Sequence, residues 1–250
     1  MTCLRLSYRK SEVTVMRWIF FFLPPLSALL ACNQKPSDGS FFPLDEGREW
    51  TYRVTKKLGE NAEPQVEKLT FSSRGQQTLD SGPAMRRHSD NGVDYWLRSD
   101  DSGIYRVASK NPLDNEPKAD NPPRYVLRKP FVLGTQWEAS TVAYVLQRRN
   151  EVPKEIRYTQ KPVMMVYRID ALAQKVETPT GSFEGCIRVA GEAKIKLYVD
   201  AQFAWRDIPL FSTEWYCPGV GLVRMERVET SPSKFMQGGS VLLELTSWHD

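Results

Sequence analysis

Hydrophobic and polar side chains alternate along much of the chain that follows residue 40. Trp50, Tyr52 and Val54 alternate with polar residues, a period of two that is typical of a strand with one buried face. No segment carries the sustained three-and-four-residue repeat expected of an amphipathic helix. The pattern predicts a mainly β fold, a large curved antiparallel sheet or partly open barrel, built as a single domain over residues 41–250.

The longest predicted strand has one apolar face and one mostly charged face. The apolar face holds Ile187, Val189, Gly191, Ala193, Ile195, Leu197 and Val199. The opposite face holds Arg188, Ala190, Glu192, Lys194, Lys196 and Tyr198. A turn over residues 200–202 then predicts antiparallel pairing with the segment that carries Phe203, Trp205, Phe211 and Trp215.

The same signals predict the remaining strands. These cover residues 66–72, 93–98, 104–108, 135–147, 163–171, 220–228 and 240–247, and Asn91-Gly92 is a hairpin turn before the second of them. Residues 111–124 contain four prolines and are interpreted as a long loop, with an interdomain linker as the alternative. Pro218-Gly219-Val220-Gly221 is interpreted as a tight turn, because the lysine and helix of a phosphate-binding loop do not follow it.

A short motif occurs twice, each time just before a strand-like run. The two copies are Pro43-Leu44-x-x-Gly47-x-x-Trp50 and Pro130-Phe131-x-x-Gly134-x-x-Trp137. Pro and Gly favour a turn that starts the strand, and the tryptophan supplies an early core anchor. The repeat indicates one architecture used twice, although two copies of common turn chemistry can also arise by chance.

The first 31 residues have the pattern of an export signal. Four basic residues and one acid precede an apolar run over residues 18–30. That run covers 13 positions and contains two prolines, whereas a membrane-spanning helix needs about 20 apolar residues. Translation from Met16 instead of Met1 would give a shorter signal of ordinary length, and the rest of the interpretation holds for either start.

The segment Leu29-Leu30-Ala31-Cys32 resembles the lipobox of bacterial lipoproteins, in which the cysteine receives diacylglycerol. The resemblance implies cleavage before Cys32 and attachment of fatty acyl chains such as palmitate, two of which suffice for stable anchoring. Residues 32–40 are polar and are interpreted as a flexible tether. Because Asn33 rather than Asp follows the cysteine, similarity to enterobacterial sorting implies a cell-envelope protein in the outer membrane, facing the periplasm.

Composition and cysteine content narrow the possible partners. The signal carries four of the 34 Lys and Arg residues and one of the 30 acids, which leaves a net charge of +1 for residues 32–250. Nothing therefore points to nucleic acid. Cys186 and Cys217 remain after export, and an oxidising periplasm favours a disulfide between them.

The predicted hairpin register only partly supports this disulfide. A turn centred near residue 201 places Cys186 opposite residue 216, one position from Cys217, and side chains one position apart point to opposite faces. A β-bulge near Pro209 could supply the missing shift, and two buried free thiols are the alternative.

Three further segments carry a second resemblance. FFPLDEGREWTYRV, TPTGSFEGCIRV and YCPGVGLVRME are similar to segments of uncharacterised β-rich bacterial envelope lipoproteins. The resemblance implies a curved antiparallel sheet like those of lipoprotein carriers and receptors, and it brings no catalytic residues. Cys217 stands where a small residue is expected in that group, so the disulfide belongs to this chain in particular.

Candidate catalytic chemistry is sparse. His88, beside Arg86 and Arg87 in a predicted strand, and His249 near the end are the two histidines, and neither has metal-ligand spacing. Adjacent acids such as Asp45-Glu46 and Asp100-Asp101 point apart in strands or turns and are interpreted as solvated turn charges. We therefore expect no enzyme, no metal site and no cofactor, with a hydrolase as the remaining enzymatic alternative.

Two functions fit these observations. The first is a non-catalytic module that holds a lipid, an acyl chain or another apolar molecule on the concave face of the sheet. Five tryptophans could line such a cavity or fill a core: Trp50, Trp96, Trp137, Trp205 and Trp215. The second is a structural or assembly lipoprotein that docks another envelope protein through a strand edge or through residues 111–124.

Overall fold

A computed structural model describes residues 40–59, 62–148, 162–199, 202, 204–231, 233 and 235–249 of this chain. The predicted signal peptide, the acylation site Cys32 and the tether up to residue 39 lie outside these ranges. Within them the regular structure is entirely β, and no helix is long and apolar enough to cross a membrane.

Fourteen strands make up the described fold. They are β1 (Glu49–Leu58), β2 (Gln65–Leu79), β3 (Gly82–Ser89), β4 (Asp94–Asp100), β5 (Gly103–Lys110), β6 (Lys118–Arg128), β7 (Gln136–Thr141), β8 (Gln147–Arg148), β9 (Val163–Thr178), β10 (Gly181–Tyr198), β11 (Trp205–Cys217), β12 (Gly221–Glu229), β13 (Met236–Gln237) and β14 (Gly239–His249). The two shortest, β8 and β13, pair with each other apart from the main sheet.

The other twelve strands form one antiparallel sheet in the order β6-β5-β4-β3-β2-β1-β14-β12-β11-β10-β9-β7. The sheet curls until its two edge strands, β6 and β7, approach each other, and Arg124 Nε on β6 donates to Ser140 O on β7 at 2.8 Å. The fold is therefore a nearly closed barrel with one open seam between β6 and β7. The predicted mainly β class, a curved sheet or partly open barrel, is confirmed.

The sheet consists of two consecutive six-stranded meanders, β1 to β6 and then β7, β9, β10, β11, β12 and β14. The repeated Pro/Gly/Trp motif begins the first strand of each meander. In both copies the glycine has positive φ, +89° at Gly47 and +88° at Gly134. Its amide donates to the next long strand, at Ser73 O in the first copy and Ile169 O in the second. The motif thus performs the same structural task twice.

Burial along β10 follows the predicted two faces. Ile187, Val189 and Ile195 are almost fully buried, whereas the alternate lysines are exposed. Gly191 on the buried face lies opposite Tyr167 of β9, and a Cβ there would be 2.9 Å from a ring carbon of that tyrosine. The missing side chain therefore provides the space that the tyrosine ring occupies.

A disulfide joins Cys186 and Cys217, whose Cα atoms are 4.1 Å apart. The predicted register was wrong by one residue. The ladder runs without a bulge from Ile187↔Tyr216 to Tyr198↔Trp205, so partners sum to 403 and the two cysteines directly oppose each other. Pro209 pairs with Lys194 inside this ladder, and the proposed shift near Pro209 does not occur.

The prediction of a loop over residues 111–124 is also wrong in its second half, because β6 begins at Lys118. This strand lies at the sheet edge. A proline is tolerated there when its nitrogen, which has no hydrogen to donate, faces the open side of the strand. A bulge takes up Pro122 and Pro123, since pairing with β5 moves from Ala108↔Ala119 to Arg106↔Arg124.

The strand predicted over residues 135–147 ends early, at Thr141. The buried Glu229 carboxylate accepts hydrogen bonds from the amides of Tyr144, Val145 and Leu146 at 2.8–2.9 Å. Backbone groups that would enter a ladder are thereby satisfied by a side chain, which turns residues 142–146 into a loop.

The predicted tight turn at residues 218–221 is confirmed, and β1 holds it in place. Trp50 Nε1 donates to Val220 O at 2.7 Å, and the Tyr52 hydroxyl donates to Leu222 O at 2.8 Å. Arg48 Nη1 reaches Gly219 O in the same way. The carbonyls of this turn face protein donors, an arrangement unlike that of a phosphate cradle.

Candidate ligand-binding cavity

A cavity of about 490 Å³, open to solvent on one side, lies inside the curled sheet. This volume falls within the roughly 300–1,000 Å³ of typical small-molecule sites. Its lining draws on β2 to β7, β11 and β12, together with the segment before β1 and the loop after β7. The lining residues are Phe42, Phe71, Arg87, Tyr95, Leu97, Arg106, Arg124, Val126, Ser140, Thr141, Val142, Tyr144, Pro162, Glu214, Leu222 and Met225.

Strand register explains why these residues converge. Arg87 on β3 pairs with Tyr95 on β4, and Leu97 on β4 pairs with Arg106 on β5. Arg106 in turn pairs with Arg124 on β6. Directly opposed residues share a face of an antiparallel sheet, and so do Tyr95 and Leu97, which are two positions apart on β4. These side chains therefore lie in two adjacent rows on the face that points into the curl.

The loop over residues 142–146 forms part of the wall and is held by a buried ion pair. Arg227 Nε donates to Glu229 Oε1 at 2.9 Å, and both side chains are essentially inaccessible to solvent. The guanidinium also donates to Val142 O at 3.2 Å and lies 4.7 Å from the centre of the Tyr144 ring. Two wall residues are thus fixed by groups outside the cavity lining.

Most of the charged groups in the lining have partners. Arg106 donates twice to Asp120, at 2.6 and 2.8 Å, and Arg124 is held by Ser140 O. Glu214 accepts hydrogen bonds from Ser212 and Tyr216. Burial, followed by the charge of Glu214, raises the pKa of Tyr216, so its hydroxyl stays protonated and keeps donating.

Arg87 differs from these groups. It is 9 % exposed, and no described carboxylate lies within ion-pair distance of it. Its Nη2 donates to Pro43 O at 2.7 Å, while its buried Nε has no hydrogen-bond partner among the described residues. The Phe42 and Trp50 rings each lie 4.2 Å from its Cζ. Burial lowers the pKa of Arg87 to about 10, so it is still a cation at neutral pH.

None of the five candidate tryptophans belongs to the lining of this cavity. Trp50, Trp96 and Trp137 are packed in separate buried clusters. Trp205 is 62 % exposed, and Trp215 is partly buried under Arg224. The aromatic rings at the cavity are instead smaller ones, those of Phe42, Phe71, Tyr95 and Tyr144, which sequence reasoning did not single out.

The histidines lie apart from the cavity lining. His88 Nδ1 is 2.8 Å from Asp94 Oδ1, and Asp94 also accepts two hydrogen bonds from Arg86. Ser72 on β2 lies opposite His88 on β3, but within the described residues the Ser72 hydroxyl makes no hydrogen bond to the His88 ring, as a serine nucleophile would with its base. His249 approaches Glu49 at 3.9 Å. Across the same residues, no group of three or more metal-ligating side chains occurs.

Comparison with known proteins gives two distant structural similarities. One is to a "putative lipoprotein" from Parabacteroides distasonis ATCC 8503, with 17 % identity, a TM-score of 0.40, and coverage of 84 % of this chain and 98 % of that one. The other is to a "putative exported protein with YmcC-like fold" from Bacteroides fragilis NCTC 9343, with 15 % identity, a TM-score of 0.37, and coverage of 84 % and 99 %. No protein-family model and no curated protein matches the sequence. Similarities this distant assign no function.

Proposed function

We propose that this protein is a non-catalytic envelope lipoprotein whose interior cavity binds an apolar or amphipathic molecule. The observation that carries the proposal is a cavity of about 490 Å³ inside the curled sheet, whose lining combines aromatic and aliphatic side chains with a smaller number of polar and charged ones. Apolar surface removed from water contributes about 25 cal/mol per Å² to binding. An acyl chain is the simplest molecule of the envelope that fits such walls.

The anchoring part of the proposal rests on the sequence. A basic segment, a short apolar run and Leu29-Leu30-Ala31-Cys32 together favour export and acylation, and Asn33 favours the outer membrane, facing the periplasm. Intact-mass analysis of the protein from its producing cell tests this directly. We expect an N-terminal Cys32 that carries acyl chains, and an unmodified Cys32 would contradict the anchor.

Binding is best tested with neutral probes of increasing chain length. The full chain with Cys32→Ser is suitable, because its own lipid then cannot occupy the cavity. Each methylene contributes about 0.8 kcal/mol, so the affinity for linear alkan-1-ols should rise about fourfold per carbon until the cavity is full. Absence of binding, or an affinity independent of chain length, would contradict the proposal.

A matched pair of variants locates the binding site. Leu222→Trp places an indole in the cavity lining and should abolish binding of the longer alkanols. Leu113→Trp makes the same substitution at a side chain that is 96 % exposed and should leave binding unchanged. Equal loss in both variants would place binding outside the cavity.

A second candidate function, docking of another envelope protein, is favoured by the open seam. Within the described ranges β6 and β7 each have a neighbouring strand on one side only. An open strand edge can accept a partner strand, and Leu133 in the segment between β6 and β7 is 64 % exposed. A photo-crosslinker at position 133 should then give a stoichiometric adduct in intact cells. The same crosslinker at Val66, equally exposed but on β2, should give none.

A further inference from the structure

The charges in the cavity lining do not balance within the described residues. The lining contains three arginines and one carboxylate, Glu214. Arg106 is neutralised by Asp120 just outside the lining, and Glu214 is among the groups that stabilise the charged form of Arg124 against the effect of burial. The remaining positive charge is on Arg87, and no carboxylate of the described residues lies within ion-pair distance of it.

The environment of Arg87 makes this charge costly. Burying a charge without an anionic partner is expensive, and a donor left unsatisfied adds to that cost. Two aromatic rings and one carbonyl offset part of it. They leave the buried Nε without a hydrogen-bond partner among the described residues. The Arg87 guanidinium therefore keeps a hydrogen-bond donor that the described residues do not use.

We propose that the cavity binds a single-chain amphiphile with an anionic head group, a carboxylate or a phosphate monoester. The head group pairs with Arg87, and the chain lies along Phe71, Leu97, Leu222 and Met225. Hydrogen bonds between an arginine and an oxyanion are short and strong, and a planar guanidinium holds both anion types well. This inference rests on the proposed function and specifies its ligand class.

The test compares ligands that differ only in the head group. Decanoate, decyl phosphate and decan-1-ol are titrated into the full Cys32→Ser chain at pH 8, where Arg87 is protonated and both anions are ionised. We expect at least one anion to bind tenfold or more tightly than the alcohol. Equal binding of all three overturns the anionic preference and leaves the proposed function intact, whereas failure of all three to bind removes both.

A substitution then tests whether Arg87 causes the preference for anionic ligands. Arg87→Met removes the charge but keeps an unbranched side chain, and it should reduce the ratio of anion to alcohol affinity to about one. Arg86→Met is the matched control, since this neighbour on β3 pairs with Asp94 and is not part of the cavity lining. A preserved ratio in Arg87→Met, or equal loss in both variants, overturns the assignment.

A measurement on the unsubstituted cavity covers the case in which Arg87→Met does not fold. Decanoate labelled with ¹³C at its carboxyl carbon reports the ionisation of the bound ligand by NMR. A guanidinium partner lowers the pKa of a carboxyl group, so the bound carboxylate should titrate at lower pH than free decanoate. Titration at the same or a higher pH overturns the pairing.

Discussion

Removal of the disulfide between Cys186 and Cys217 should destabilise the domain by a predictable amount. The two cysteines are 31 positions apart. For a loop of that length, the chain-entropy estimate gives about 4 kcal/mol at 25 °C, and measured values usually fall at about 2–4 kcal/mol. The cross-link acts mainly by restricting the unfolded chain, because the two strands it joins are already paired along twelve residue pairs.

Urea unfolding followed by tryptophan fluorescence measures this effect, in a chain whose Cys3 and Cys32 are replaced by serine. The unfolding midpoint should fall when a reductant is added, and the free energy of unfolding should drop by about 2–4 kcal/mol. A Cys186→Ala/Cys217→Ala variant is the control and should not respond to reductant. Two titratable thiols in the unreduced, denatured protein, or equal stability with and without reductant, would refute the reasoning.

Three further substitutions probe the structures that shape the sheet. Glu229→Gln leaves the buried Arg227 without a charged partner and should lower the free energy of unfolding by roughly 3–5 kcal/mol in urea titrations. Gly191→Ala brings a methyl group against the Tyr167 ring and should cost about 1–3 kcal/mol by the same method. Burial alone would raise the pKa of Asp94, but hydrogen bonds from arginine and histidine side chains outweigh it and lower that pKa. The stability that Asp94 provides should therefore be fully present above about pH 4, the usual pKa of an aspartate. It should disappear as the pH falls through the lowered pKa of the folded state. Stability curves measured against pH should lose this dependence in Asp94→Asn.

The strand faces were predictable from the sequence because burial in a sheet alternates strictly. Residues 187–199 carry that alternation without interruption, and the structure buries the predicted face. The register between β10 and β11 was harder to predict, because one residue more in the turn reverses which side chains face each other. An error of one residue was enough to set Cys186 and Cys217 on opposite faces.

The Pro-rich edge strand was missed because proline content normally argues against a strand. A proline in a strand with two neighbours removes a hydrogen bond between strands, because it has no N–H. A proline in an edge strand need not do so. Only the strand order shows that β6 has one neighbour and an open side. The early end of β7 has a similar cause, since the carboxylate that binds the Val145 amide belongs to Glu229 on β12, 84 residues later in the sequence.

The sequence allowed a cavity within the sheet to be predicted, but not the residues that line it. The sequence favours the large indole rings as candidate ligand contacts, yet Trp50 and Trp137 are anchors at the starts of the two meanders and are buried in packed clusters. Which aromatic side chains remain at the cavity surface depends on the curvature of the whole sheet. Arg87 carried no sequence signal, because an arginine in a strand usually faces solvent.

The most direct test of the account is a crystal structure of the Cys32→Ser chain with 10-bromodecanoate. Anomalous scattering locates the bromine independently of the fitted chain, and the electron density shows the carboxylate. We predict a bromine among Phe71, Leu222 and Met225, with the carboxylate at the Arg87 guanidinium. A bromine bound only at an exposed surface, such as that around Trp205, with no ligand density in the cavity, would contradict it.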